Sequence, residues 1–194
     1  MTTEYGTTYN SYLIKGKEKT ALIETTKMPF FQDYFKVLSE EVNPENIDYI
    51  ICNHTEPDHA GSVGWLIEVC KNATIVGSMT TIGFLKEMTN KKFKSLSVKT
   101  GDTIDIGGKT LNFYNVPFLH WPDSTFTYIS EEKILLTCDV YGCHFADDRM
   151  FLSKVSDRIT GYYDAFAYYY ACIFAPFKKY VNKGIEVTRG LDFR

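Results

Sequence analysis

The chain has 194 residues, 44% hydrophobic and 23% charged, with a formal net charge of −3, which suits one globular domain and argues against a nucleic-acid footprint. No apolar run reaches the ~20 residues of a membrane span, and the opening MTTEYGTTYN has no signal-peptide core. The five cysteines (Cys52, Cys70, Cys138, Cys143, Cys172) form no CxxC pair, which points to a reducing cytoplasm rather than a disulfide framework or zinc ribbon. Along the chain, TTYNSYLIKG (Thr7–Gly16) and KTALIET (Lys19–Thr25) read as a β-hairpin. Pro29 opens a helix with Phe31, Tyr34, Phe35, Leu38 and Val42 at helical spacing, and NPEN ends it. IDYIICN (Ile47–Asn53) has the length and composition of a buried strand. Ser62–Lys71 reads as a helix with Val63, Leu66, Ile67 and Cys70 inward, ATIVGS as a strand and MTTIGFLKEM as a helix. After Lys94 the pattern is all-β, punctuated by GG and SEEK. An aromatic helix runs from about Tyr162 to Val181, with a break expected where Pro176 disfavours a helical Ala175.

The chemistry concentrates in NHTEPDHAGS, Asn53–Ser62, directly after the Ile47–Asn53 strand. His54, Glu56, Asp58 and His59 are all potential metal ligands, and the chain has only four histidines. A single histidine in such a place is ordinarily a core or surface residue. Four candidate ligands in one short loop are different: spacing of two puts His54 and Glu56 on one side, and a bend at Pro57 turns Asp58 and His59 towards a second point. Two later stretches add donors at strand ends. PFLHWPDS supplies His120, and LLTCDVYG supplies Asp139. A site for two metals needs ligands from several strand ends and a carboxylate able to bridge.

The order HxExDH, then HWPDS, then an Asp after an apolar strand resembles the diiron domain of flavodiiron proteins, the oxygen and nitric oxide reductases built on a metallo-β-lactamase fold. GTTYNSYLI, VKTGDTIDIG and YYYACIFAPF add to a resemblance that extends from about Tyr5 to Phe193. It implies an α/β (α+β) fold, an αβ/βα sandwich of two mixed sheets flanked by helices. It also implies one diiron domain over residues 1–194, truncated at both ends and without a flavodoxin domain. By resemblance, His54, Glu56 and His120 hold one iron, Asp58 and His59 the other, and Asp139 bridges them. Asp123 is a candidate partner behind a ligand, or equally an ordinary turn residue. Tyr169 or Tyr170 stands beside the metals, with Tyr170 taken as the candidate catalytic residue; a plain core aromatic is the competing reading for each. His144 follows Asp139 without being an expected ligand. The family's last histidine ligand has no counterpart here, so the second metal is expected to bind more weakly.

Glu56 separates two chemistries. Zinc hydrolases of this fold carry histidine there, and nitrogen-rich four-coordinate sites suit zinc. A carboxylate adds negative charge and a hard oxygen, which suits iron cycling between ferrous and ferric states. The implied cofactors are two iron ions, with zinc the alternative, and FMN only through a separate domain or chain. The implied substrate is O2 or NO, the donor a flavin or a rubredoxin-type protein, and the assembly a cytoplasmic homodimer without nucleic-acid or membrane partners. Two other functions stay open: a zinc-dependent hydrolase, and a non-catalytic or oxygen-sensing diiron module.

Overall fold

The computed structural model describes residues 3–149, 154 and 161–193. The first hairpin forms from β1 (Tyr12–Lys15) and β2 (Thr20–Ile23), antiparallel, with Tyr12 opposite Ile23 and Lys15 opposite Thr20. Gly16 begins its turn. A Cβ there would lie 1.9 Å from the Ile106 carbonyl oxygen, so the hairpin can touch the second sheet only through a glycine. β3 (Tyr49–Ile51), β4 (Thr74–Gly77) and β5 (Ser95–Ser97) then add in parallel, giving a five-stranded sheet in sequential order. The crossovers carry α1 (Phe31–Glu41), α2 (Pro57–Ala60), α3 (Val63–Val69) and α4 (Met79–Thr89).

The second sheet is β6 (Thr103–Asp105), β7 (Thr110–Asn115), β8 (Thr125–Ile129) and β9 (Ile134–Leu136). Two details correct the sequence reading. Only the first sheet is mixed; among the described residues the second is antiparallel throughout, because its strands follow one another without a helical crossover. And Ser95–Ser97 belongs to the first sheet, paired with β4, although it opens the stretch that reads as all-β. The terminal helix also differs. α5 (Tyr162–Tyr169) passes into a π turn at Tyr170–Phe174 and a 3₁₀ turn at Ala175–Phe177, and α6 (Lys178–Thr188) continues past Val181. The irregularity thus begins before Pro176, whose missing N–H falls in the 3₁₀ turn.

Strand alternation sorts the side chains into layers. Leu22, Ile50 and Ile75 face the helices and pack with Phe31, Leu38, Val63, Leu66 and Leu85. Their neighbours Ala21, Ile23, Ile51 and Val76 face the second sheet and meet Ile106, Leu111, Phe113 and Ile129. Beyond that sheet, Phe126 packs with Leu119, Tyr169 and Phe174. The result is the αβ/βα sandwich: helices, sheet, sheet, helices. Phe113 and Phe126 are fully buried, and each contributes about 1.5–3 kcal/mol by leaving water. β2, β3, β7 and β9 run into loops whose Glu24, His54, His59, His120 and Asp139 side chains meet at one edge of the sandwich.

Candidate metal centre

The loop after β3 carries the first donors. His54 is completely buried, with Trp121 edge-on to its ring at a centroid distance of 5.1 Å. Glu56 occupies the N-cap position of α2 without a side-chain capping bond, and Pro57 occupies the helix's first turn, where its lost N–H costs nothing. That single turn carries Asp58 and His59, so the expected bend at Pro57 is the start of a helix. Gly61 follows; a Cβ there would meet the Pro57 carbonyl oxygen at 2.3 Å and the Met28 nitrogen at 3.1 Å, so this loop can lie flat on the segment after β2 only with glycine. His120 comes from the loop between β7 and β8. Asp139 follows β9, after Cys138, which has a left-handed φ of 47°. Left-handed non-glycine residues are uncommon and cluster at functional sites.

These residues form two groups that share Asp139. In the first, His54 Nε2 lies 3.3 Å from Glu56 Oε2 and 3.4 Å from Asp139 Oδ2, while His120 Nε2 lies 3.1 Å and 3.3 Å from the same two oxygens. Four donors placed tetrahedrally ~2.1 Å from one ion would stand about 3.4 Å apart, so the spacing is that of a metal cage. In the second group, His59 Nε2 lies 3.0 Å from Asp139 Oδ1 and 4.0 Å from Asp58 Oδ2. Asp139 therefore turns one oxygen to each group. Its Oδ2, like Asp58 Oδ1, is buried with no aligned hydrogen-bond donor. Buried carboxylate oxygens without donors are costly, and a cation between these groups would satisfy them.

The charges reinforce one another in the metal-free chain. Burial disfavours a charged His59, yet Asp139 and Glu24 override it and raise its pKa to about 11. Burial is likewise outweighed at His120, raised to about 9 by Asp139 and Glu56, and at His54, raised to about 8 by Asp123 and Glu56. Hydrogen bonds from His120 and His54 hold Glu56 at about 2. Burial pushes Asp139 up, but His120 and His59 hold it well below the usual carboxylate range. The carboxylates that raise these imidazoles would equally favour a cation among them.

Other residues fall around this cluster. Asp123 is buried and faces His54 Nδ1 at 3.4 Å, behind the ring. Tyr169, rather than Tyr170, lines the cavity over the cluster. Burial and the negative charge of Asp139 keep its phenol protonated well above the usual range. Tyr170 begins the π turn and packs at the margin of the outer apolar cluster. His144 lies in neither metal group; its ring stands edge-on to Tyr169 at 4.7 Å. Glu24 was missed in the sequence. It directly follows β2 with φ of 61° and is 2% exposed, and Oε2 reaches His59 Nδ1 at 2.6 Å. Its segment, LIETT, has no spacing signal; only a buried acid at a strand end marks it. The cavity, about 910 Å³, is lined by Glu56, Asp58, His59, His120, Asp139 and Tyr169 on one side and by the Thr7–Asn10 segment on another.

Comparisons with known proteins converge on one group. The chain is 48% identical over 194 residues to flavo-diiron protein FprA2 of Clostridium acetobutylicum, covering 99% of this chain and 48% of that protein. It is 44% identical over 190 residues to putative diflavin flavoprotein A 1 of a Nostoc species, covering 97% of this chain and 32% of that one. Among solved structures, the flavodiiron protein of Giardia intestinalis superposes with a TM-score of 0.91 at 34% identity, covering 98% of this chain and 46% of that chain. Rubredoxin oxygen:oxidoreductase of Desulfovibrio gigas gives 0.88 at 32% identity, with 96% and 46% covered. The chain therefore spans less than half the length of these relatives. The relatives it matches are flavodiiron and diflavin flavoproteins; residues 7–185 match the family model described as ODP family beta lactamase, and the chain belongs to that family.

Proposed function

We propose that this chain is the diiron module of an oxygen or nitric oxide reductase. The observation that carries the reading is the division of Asp139 between two ligand groups. His54, Glu56 and His120 would hold one iron, Asp58 and His59 the other, with Asp139 between them. Bound as a pair, ferrous ions would give one electron each, enough to turn two NO into N2O; taking O2 to water needs four, the other two coming from the donor. The chain's own residues do the rest. Asp123 faces the far side of His54 and orients that ring. Tyr169 keeps a proton on its phenol beside Asp139, at the wall of the cavity that admits the diatomic. Glu56 supplies the hard anionic oxygen that favours iron over zinc.

Electrons would come from FMN on a separate domain or chain, or from a rubredoxin-type protein. The working form is a cytoplasmic homodimer with no nucleic-acid or membrane partner; no helix among the described residues is long and apolar enough to cross a membrane. The test is metal analysis of anaerobically purified protein, joined to O2 and NO consumption with a photoreduced flavin donor. Two irons per chain and consumption of either gas support the reading. Zinc-replete protein that consumes neither gas, but hydrolyses an ester or amide, would establish a hydrolase instead.

A further inference from the structure

We infer that Glu24 is the positioning residue of the second metal, fixing which nitrogen of His59 faces the ion. The inference rests on the two-metal reading and deepens it.

The β2 exit holds His59 at both ends. Thr25 donates its backbone N–H and its hydroxyl to the His59 carbonyl oxygen, at 2.7 Å and 2.6 Å. Ser62 donates its hydroxyl to the Thr26 carbonyl at 2.8 Å, tying down the residues that follow α2. Glu24 then takes the ring. Its Oε2 is 2.6 Å from His59 Nδ1, a close but bent approach, while its Oε1 accepts the Asn53 N–H at 2.5 Å. Its own backbone is fixed as well: the N–H donates to Ile51 O, and the carbonyl accepts the Ser11 hydroxyl. With Nδ1 held by a carboxylate, the proton of a neutral imidazole sits on Nδ1 and the Nε2 lone pair points at Asp139 and Asp58. A carboxylate behind a ligating histidine fixes the tautomer, the ring orientation and the basicity of the ligand.

The two bonds go to different oxygens, and that makes a sharp test. In Glu24→Gln one oxygen becomes NH2. The Asn53 N–H can only donate, so the remaining oxygen stays with it and the NH2 faces His59 Nδ1. Nδ1 must then accept, which moves the ring proton to Nε2 and blocks ligation. The Asn53 bond, and with it the joint between β2 and β3, is preserved. By contrast, a purely structural role for Glu24 would leave the His59 tautomer and the second metal unchanged in this variant.

The parent chain and Glu24→Gln are titrated anaerobically with ferrous iron, and the stepwise affinities compared. The expected result is two irons in the parent, an unchanged first affinity in the variant, and a second weakened ~10–100-fold. Equal second affinities overturn the role of Glu24 while leaving the two-metal reading intact. Fewer than two irons in the parent defeats that reading, and the role of Glu24 falls with it. A second measurement does not depend on the variant's folding. ¹⁵N-histidine NMR of the zinc-loaded parent should show His59 protonated on Nδ1, with zinc on Nε2. Zinc on Nδ1, or a proton on Nε2, overturns the inference.

Discussion

Asp139→Asn asks the most of the structure. The carboxylate presents Oδ1 to His59 at 3.0 Å and Oδ2 to His120 and His54 at 3.3 Å and 3.4 Å. An amide keeps one oxygen, so one group loses its shared donor outright. The first group retains His54, Glu56 and His120; the second retains only Asp58 and His59. The second metal is therefore the one lost. Removing even an outer partner of a ligand costs ~10–100-fold in affinity, so losing a direct ligand should weaken the second metal by at least that, or ~1.4–2.7 kcal/mol. The first metal also weakens, because a neutral oxygen replaces an anionic one, but it stays bound. In the metal-free variant, His59 and His120 lose the partner that does most to overcome burial, so their pKa values fall. Anaerobic ferrous titration with colorimetric iron counting reads the first effect, and histidine NMR titration the second. A variant that binds two irons with the parent's affinities, or whose imidazoles titrate as before, would refute the shared-carboxylate geometry.

Four further outcomes follow from the same site and core. Glu56→His should move the metal preference towards zinc and abolish gas consumption while the fold persists; equal iron content and equal turnover with a competent flavin donor would count against the reasoning. Metal loading at pH 7 should release protons, up to one from each of three imidazoles whose raised values are about 8, 9 and 11, and apparent affinity should climb as pH rises from 7 to 9; pH-indicator titration in weak buffer checks both. For metal-free protein the raised imidazoles stabilise the fold fully below about pH 6.5, and that contribution fades as pH rises through their folded values; Glu56, held at about 2, contributes above about pH 4.3 and fades below it. Its urea midpoint should thus be lower at pH 9 than at pH 6, and a midpoint that rises instead contradicts the assigned partners. Phe113→Ala, fully buried between the sheets, should cost about 3–5 kcal/mol in denaturant unfolding, and a loss below 1 kcal/mol would mean the inter-sheet core is misread.

How legible this was depended on sequence distance. His54, Glu56, Asp58 and His59 lie in one loop, and Pro57 announces the turn that splits them, so their grouping could be read directly. His120 and Asp139 stood out because each follows an apolar strand in a chain with few histidines. Glu24 could not be found this way. Its partnership with His59 exists only because β2 and β3 pair in parallel and end at the same edge, a tertiary fact that LIETT does not encode. Which of Tyr169 and Tyr170 lines the cavity was hidden for a different reason. Consecutive residues on a helix point about 100° apart, and a run of three tyrosines carries no mark of phase. The π turn starting at Tyr170 shifts that phase further. Ser95–Ser97 looked like the first strand of the second sheet because a short, exposed, polar-alternating strand reads the same at the edge of either one.

The central claim is that this chain builds two metal positions around Asp139. Anomalous diffraction at the iron edge, from crystals of the anaerobically iron-loaded chain, addresses it without any assay of turnover. The account predicts two peaks, one on each side of the Asp139 carboxylate, with higher occupancy at the one among His54, Glu56 and His120 and lower occupancy at the one beside Asp58 and His59. A single peak, or peaks that Asp139 does not separate, would contradict it.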